Sequence, residues 1–501
     1  MKKKLVITLI IIFSISLNSQ TADKQIQSAV SKFYNFNFSK ASVELDLFSK
    51  KYPNDHRGFY YKSVMNSWFF LGTLNEAFID SFNFYSKKAA TIIEQLDDDK
   101  EADKIKKLFW LGMIDYNNSV ISARNNDFAS ALVSTTSMRN RLEEAIKINP
   151  DFYDAYLGLG LSNFAFAEVP AALKWAANLV GFNSDKELGL SYIQLVAEKG
   201  NLLKIDAQFY LSQIYSRTII DYSEAEKILT KLVKSYPKNL LFNYSLALIK
   251  YELNDLTISE KMLRNIISSN DSLFPFIISN SHLLLANIFF SKEQYDSAIV
   301  HYNLYGDNRV NNDYFGFANL RTGICFELLG NRKQAIKFYE KSDEGNKDID
   351  EDIYADRLGK IFVQKPITED FKTIQHLKNL LKLKKYKDAE EFLTKTLSEQ
   401  GTSTNLKAEL YLLLSELQLI KKNYDDALEN ALLCLKYNGE KENTITAEAY
   451  YRAAVSLSNL KRETEALSYL KKIESIDDLD FRTTIKNKAY SLLRKINKQS
   501  D

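Results

Sequence analysis

Residues 281–305 read SHLLLANIFFSKEQYDSAIVHYNLY. His282, Leu285, Ala286 and Phe289 recur at helical spacing on one face. Glu293-Gln294-Tyr295 makes a short polar turn, and Ala298, Tyr302 and Tyr305 then mark one face of a second helix. The small residues let two helices cross at ~8–10 Å. The large residues beside them fill the gap to a neighbour. A single hairpin of this kind leaves an apolar face uncovered, so it must stack on others.

The neighbours are present. Asn319, Thr322, Gly323 and Phe326 lead through Gly330-Asn331-Arg332 to Ala335, Tyr339 and Ser342. Tyr411, Leu414, Ser415 and Gln418 lead through Lys422-Asn423-Tyr424 to Ala427, Ala431 and Cys434. Tyr450, Ala453, Ala454 and Leu457 lead to Ala466, Leu470 and Ile473. Further second helices centre on Ala225, Ser259 and Ala389. The second-helix small residues, at 225, 259, 298, 335, 389, 427 and 466, are spaced 34, 39, 37, 54, 38 and 39 apart. The gap of 54 leaves room for an added helix over 348–364, ended by Lys365-Pro366.

This pattern resembles the tetratricopeptide repeat, a large–x–x–apolar–small first helix followed by a small-centred second helix and a closing Pro. Tyr156, Leu159 and Gly160 after Pro150 fit its first helix, and Ala41, Leu45, Phe48 and Pro53 fit its second. Pro237 closes the copy centred on Ala225. The resemblance implies an all-α solenoid of stacked antiparallel hairpins with a right-handed superhelix. Spacings longer than the family's repeat leave the curvature open. A narrower run resembles the inclusion-body-clearance type of tetratricopeptide protein and its bacterial relatives. It consists of Gly160-Leu161, Val169-Pro170, Leu173-Lys174-Trp175, Gly181-Phe182, Asp185 and Gly189-Leu190. That resemblance brings no catalytic residue with it.

Composition agrees with helices. Only 16 Gly and 6 Pro occur in 501 residues, whereas 29 Tyr and 31 Phe supply flat rings for helix packing. Five segments follow: a signal over 1–20, long hairpins over 21–150, repeats over 151–345, an extra helix and hinge over 346–367, and repeats over 368–496. Lys2, Lys3 and Lys4 precede the apolar run Leu5–Leu17, which is shorter than the ~20 residues of a bilayer span. The expectation is export by a signal cleaved near Gln20, to the periplasm, the cell envelope or the outside, with an uncleaved anchor as the alternative. No transmembrane span is expected in the mature chain.

Without those three lysines the chain carries 63 basic and 64 acidic side chains, which argues against a nucleic-acid partner. The two cysteines, Cys325 and Cys434, fall two hairpins apart and read as buried thiols rather than a disulfide. Of the four histidines, His282 and His301 share one hairpin, and both read as structural. No metal-ligating, phosphate-cradling or nucleophile motif is present. No catalytic residue, metal or cofactor is therefore expected. Lys378, Lys382, Lys384, Lys385 and Lys387 cluster, and read as a solvated face.

The other stripe of each first helix is the candidate site, because the resemblance places it on the concave groove. It consists of Tyr244, Leu248 and Tyr251, then Asn287 and Phe290, then Phe317 and Glu327. Rings give rigid apolar contact and Asn pairs with a peptide backbone. The alternative is that these rings pack against neighbouring helices. The expected function is a non-enzymatic scaffold of the cell envelope with a protein or peptide in the groove. The second expectation is an assembly factor that self-associates as a homo-oligomer.

Overall fold

A computed structural model describes residues 21–168, 185–269, 271–439 and 442–500. The expected signal segment and the Val169–Phe182 part of the narrower motif lie outside the described residues. The described residues form helices joined by turns, with no strand among them. None of the helices is long and apolar enough to cross a membrane.

Two compact units are present. Unit 1 holds the residues up to Ser212, with Lys227–Asn243 and Ser272–Phe274; unit 2 holds Gln213–Glu226, Tyr244–Asp271 and the residues from Pro275 onward. The chain runs α1 (21–34), α2 (Phe38–Lys51), α3 (Arg57–Thr73), α4 (Ala77–Ile93), α5 (Glu101–Arg124), α6 (Phe128–Ile148), α7 (Tyr156–Glu168) and α8 (Lys186–Lys199). It continues through α9 (Lys204–Arg217), α10 (Tyr222–Ser235), α11 (Leu240–Glu252), α12 (Leu256–Ser268), α13 (Pro275–Ser291), α14 (Tyr295–Asn308), α15 (Phe315–Leu328) and α16 (Arg332–Tyr339). The last are α17 (Asp350–Gln364), α18 (Glu369–Lys382), α19 (Tyr386–Ser398), α20 (Thr404–Ile420), α21 (Tyr424–Asn438), α22 (Asn443–Asn459), α23 (Glu463–Glu474) and α24 (Arg482–Ser500).

Consecutive helices pack as antiparallel hairpins, and hairpin stacks on hairpin, which is the α-solenoid class. All seven second-helix small residues, from Ala225 to Ala466, are fully buried. Two crossings are also stitched: Ser259 Oγ donates to the Ala247 carbonyl at 2.7 Å, and Ser415 Oγ to the Ala427 carbonyl at 2.7 Å. At Gly323 a Cβ would lie 2.5 Å from the Tyr339 ring, so the ring takes the space that glycine leaves. α17 fills the 54-residue spacing and buries Ala355, Gly359 and Phe362. The link after it is held rather than loose. Ile367 is buried, its N–H donates to Glu327 at 3.2 Å, and Arg332 Nη2 donates to the Val363 carbonyl at 3.1 Å.

The hairpin turns repeat one geometry. In nine hairpins the residue two before the second helix has positive φ: Phe36, Asn126, Ile220, Asn254, Glu293, Gly330, Lys384, Lys422 and Lys461. In eight of them the next N–H reaches back five residues to a carbonyl, at 2.7–3.0 Å. This is the Schellman closure, which satisfies the orphan carbonyls of a helix end. Glycine holds the position once.

Candidate partner-binding site

The candidate stripe lies on α11, α13 and α15 of unit 2. Tyr244, Leu248 and Tyr251 are half-buried along α11. Phe317 is half-buried on α15, whereas Phe290 on α13 is only 3% exposed and offers almost no surface to a partner. Leu283, Leu320 and Ile324 of the same stripe are buried as well. The stripe is therefore graded, with rings open at its start and closed in its middle.

The two polar candidates have internal partners. Asn287 Oδ1 accepts the Tyr302 hydroxyl at 2.6 Å. The Glu327 carboxylate accepts the Tyr339 hydroxyl at 2.7 Å, Arg332 Nη1 at 3.0 Å and the Ile367 N–H at 3.2 Å. Glu327, with its side chain 7% exposed, joins α15 and α16 to the segment that follows Pro366.

Arg321 lies one position off the stripe on α15. Its guanidinium lies 4.4 Å from the Phe290 ring centre and 5.0 Å from that of Phe317, and donates to Gln375 Oε1 at 3.2 Å. Among the described residues no carboxylate forms an ion pair with it. Lys382 of α18 enters the same face, with Nζ 3.8 Å from the Tyr251 ring centre and 3.9 Å from Glu252 Oε2. Burial lowers the Lys382 ammonium below its ordinary value. Burial likewise raises the hydroxyls of Tyr244, Tyr251 and Tyr354.

These groups keep some surface and are nonetheless strongly desolvated. Burial also raises the carboxyl groups of Glu351 on α17 and Glu409 on α20 above their ordinary values. The basic cluster does not form one patch, since Lys382 serves Tyr251 and Glu252 while Lys384 pairs with Asp255 at 2.7 Å. His282 and His301 do meet, Nδ1 to Nδ1 at 2.9 Å. Among the described residues no group of three or more His, Cys, Asp or Glu side chains is placed to hold a metal ion. Cys325 and Cys434 are buried free thiols, and burial pushes Cys434 up to about 12.

The stripe presents aromatic rings together with one guanidinium, Arg321.

Comparison with known proteins gives two family matches. Residues 81–300 match the model of Iml2/Tetratricopeptide repeat protein 39, a span that encloses the 156–190 motif. Residues 447–478 match a Tetratricopeptide repeat model, over α22 and α23. No curated protein matches the chain. Among solved structures, Pseudomonas aeruginosa PilF is similar at 13% identity, covering 52% of this chain and 99% of its own, with a TM-score of 0.35. The quorum sensor NprR of B. thuringiensis, in its apo form, is similar at 17% identity, covering 75% and 98%, with a TM-score of 0.34. The P58(IPK) TPR domain is similar at 15% identity, covering 79% and 99%, with a TM-score of 0.21.

Proposed function

We propose that this tetratricopeptide-repeat protein, with its Iml2-type segment, is a non-enzymatic scaffold that holds a protein or peptide partner on the inner stripe of unit 2. Tetratricopeptide-repeat proteins generally mediate protein–protein interactions, and their families are typically non-catalytic. The observation that carries the finer reading is Arg321. It is a half-buried guanidinium on the Phe290 and Phe317 rings, with no carboxylate paired to it among the described residues, and Tyr244, Tyr251 and Phe317 of the stripe keep exposed surface. Desolvated aromatic and arginine anchors are where binding energy concentrates. The setting we propose is the cell envelope, supported by the Lys2-Lys3-Lys4 start and the short apolar run behind it.

The test is capture of crosslinked partners from native envelopes, with wild type beside a variant combining Tyr244→Ala, Tyr251→Ala and Arg321→Gln. A partner held by wild type and lost by the folded variant supports the reading. A partner held equally by both removes it.

Self-association is the second reading, favoured by the exposure of Phe128 (69%) and Val133 (71%) on α6. Sedimentation velocity over a range of concentrations tests it. A monomer at all concentrations counts against it.

A further inference from the structure

Within unit 2, helix α18 lies across the stripe. It meets the preceding helices in reverse chain order. The Phe371 ring packs on Phe362 of α17, with centres 5.2 Å apart. Gln375 Oε1 accepts from Arg321 of α15 at 3.2 Å. His376 Nδ1 and Asn379 Nδ2 donate to Glu293, in the turn after α13, at 2.6 and 3.3 Å. Lys382 Nζ stands 3.8 Å from the Tyr251 ring centre on α11. Lys384, in the turn after α18, pairs with Asp255 in the turn after α11. Residues 371, 375, 379 and 382 follow the three- and four-residue spacing of one helix face. A helix laid by one face across a row of others is the arrangement in which a groove reads a helical partner.

The opposite face of α18 is committed elsewhere. Ile374, Leu377, Leu380 and Leu381 are buried with Leu393 of α19 and Leu410 of α20. The buried residues from Ala247 to Ile367 form a separate cluster, on which α18 and its turn place only the half-buried Phe371 and Leu383. The rest of the junction is polar. Its ion pairs, His376 with Glu293 and Lys384 with Asp255, stay partly exposed. Pairs of that kind contribute little to stability. Two separate cores therefore meet through a weak contact.

Arg321 is held in the same loose way. A guanidinium presents a planar fork that a carboxylate fills with two parallel bonds. Helix α18 gives it one neutral amide oxygen instead. Gln375 spends its own amide N–H on Asn379 Oδ1 at 3.0 Å. The helix in place occupies the site without matching its charge.

We propose that α18 is a built-in, displaceable occupant of the stripe. It covers the stripe in the free chain, and a partner helix with an acidic residue at the place of Gln375 displaces it by pairing with Arg321. The inference rests on the stripe being the partner site. Because its apolar face is bound to α19 and α20, α18 lifts together with the repeats behind it.

The test reads the lifting and the capture separately. Asn379 is buried on the face turned to Glu293, so a cysteine there reacts with a maleimide only when α18 lifts. The native Cys325 and Cys434 are fully buried. Labelling rates are compared for the full chain with Asn379→Cys alone and with Gln375→Ala or Gln375→Glu added, each checked for folding by circular dichroism. The alanine removes the bond to Arg321 and should speed labelling several-fold. The glutamate supplies the carboxylate and should slow it several-fold. With Asn379 restored, Gln375→Ala should raise the yield of crosslinked envelope partner and Gln375→Glu should lower it. Equal labelling rates in the three chains overturn the proposal, even where the Tyr244→Ala, Tyr251→Ala, Arg321→Gln variant loses its partner and the stripe reading stands. Changed rates with unchanged partner yield overturn it as well, since α18 then moves without gating the stripe. A partner held equally by that triple variant removes the stripe reading and the gate with it.

Discussion

Gly160 of α7 and Gly189 of α8 press backbone against backbone: a Cβ on Gly160 would lie 2.9 Å from the Gly189 carbonyl oxygen, and one on Gly189 2.8 Å from the Gly160 carbonyl oxygen. Neither neighbour is a flexible side-chain end, so neither can step aside cheaply. Alanine in an open helix would gain ~0.5–1 kcal/mol over glycine. At this crossing overpacking outweighs that gain, and Gly160→Ala or Gly189→Ala should cost ~1–3 kcal/mol in urea unfolding. A stabilised variant would mean that the two helices are not in contact here.

Lys422 tests the turn geometry. It is exposed, with φ at 63°, in a region where non-glycine residues pay ~1–2 kcal/mol. Glycine relieves that cost but loses part of the gain to its freer unfolded state. Lys422→Gly should therefore stabilise by ~0.5–1 kcal/mol, and Lys422→Val should destabilise. Equal melting temperatures for the two variants would contradict the left-handed turn.

Glu327 is the joint between the α15–α16 hairpin and the chain beyond Pro366. Glu327→Ala strands the Tyr339 hydroxyl and the Ile367 N–H and leaves Arg332 without its carboxylate. Arg332 is 30% exposed, so water recovers part of the loss. A destabilisation of ~2–4 kcal/mol is expected. A change below ~0.5 kcal/mol in chemical denaturation would free Glu327 for the partner-binding role that its stripe position implied.

The His282–His301 pair gives a pH signature. One imidazole Nδ1 donates to the other, and Phe289 lies nearly parallel to His301 at 14°. Burial lowers His282, and burial, then His282 and Arg264, lower His301 to about 4, with Glu260 opposing. The folded state therefore binds fewer protons than the unfolded state between pH 6.5 and about 4. The stability contributed by the pair is present above 6.5 and is lost as pH falls through that window. His301→Phe should flatten unfolding free energy against pH there. An unchanged slope would place the pair in solvent.

The crossings were legible in the sequence because small residues at a helix crossing have no substitute: Ala298, Ala335 and Ala427 are where spacing put them. The turns were not, because their left-handed positions carry Lys, Asn, Glu, Ile or Phe far more often than Gly, and only backbone geometry reveals them. Periodicity also placed Phe290 and Phe317 on one stripe but could not tell that Phe290 is covered while Phe317 is partly open. Nor could it join Arg321 to Gln375, which are brought together from separate helices by folding alone.

The most direct test of the scaffold reading is hydrogen exchange of the full chain with and without its captured partner. The account predicts added protection on α11 and α15, around Tyr251 and Arg321, and little on the second helices α12, α14 and α16. Protection confined to those second helices, or none in unit 2, would contradict it.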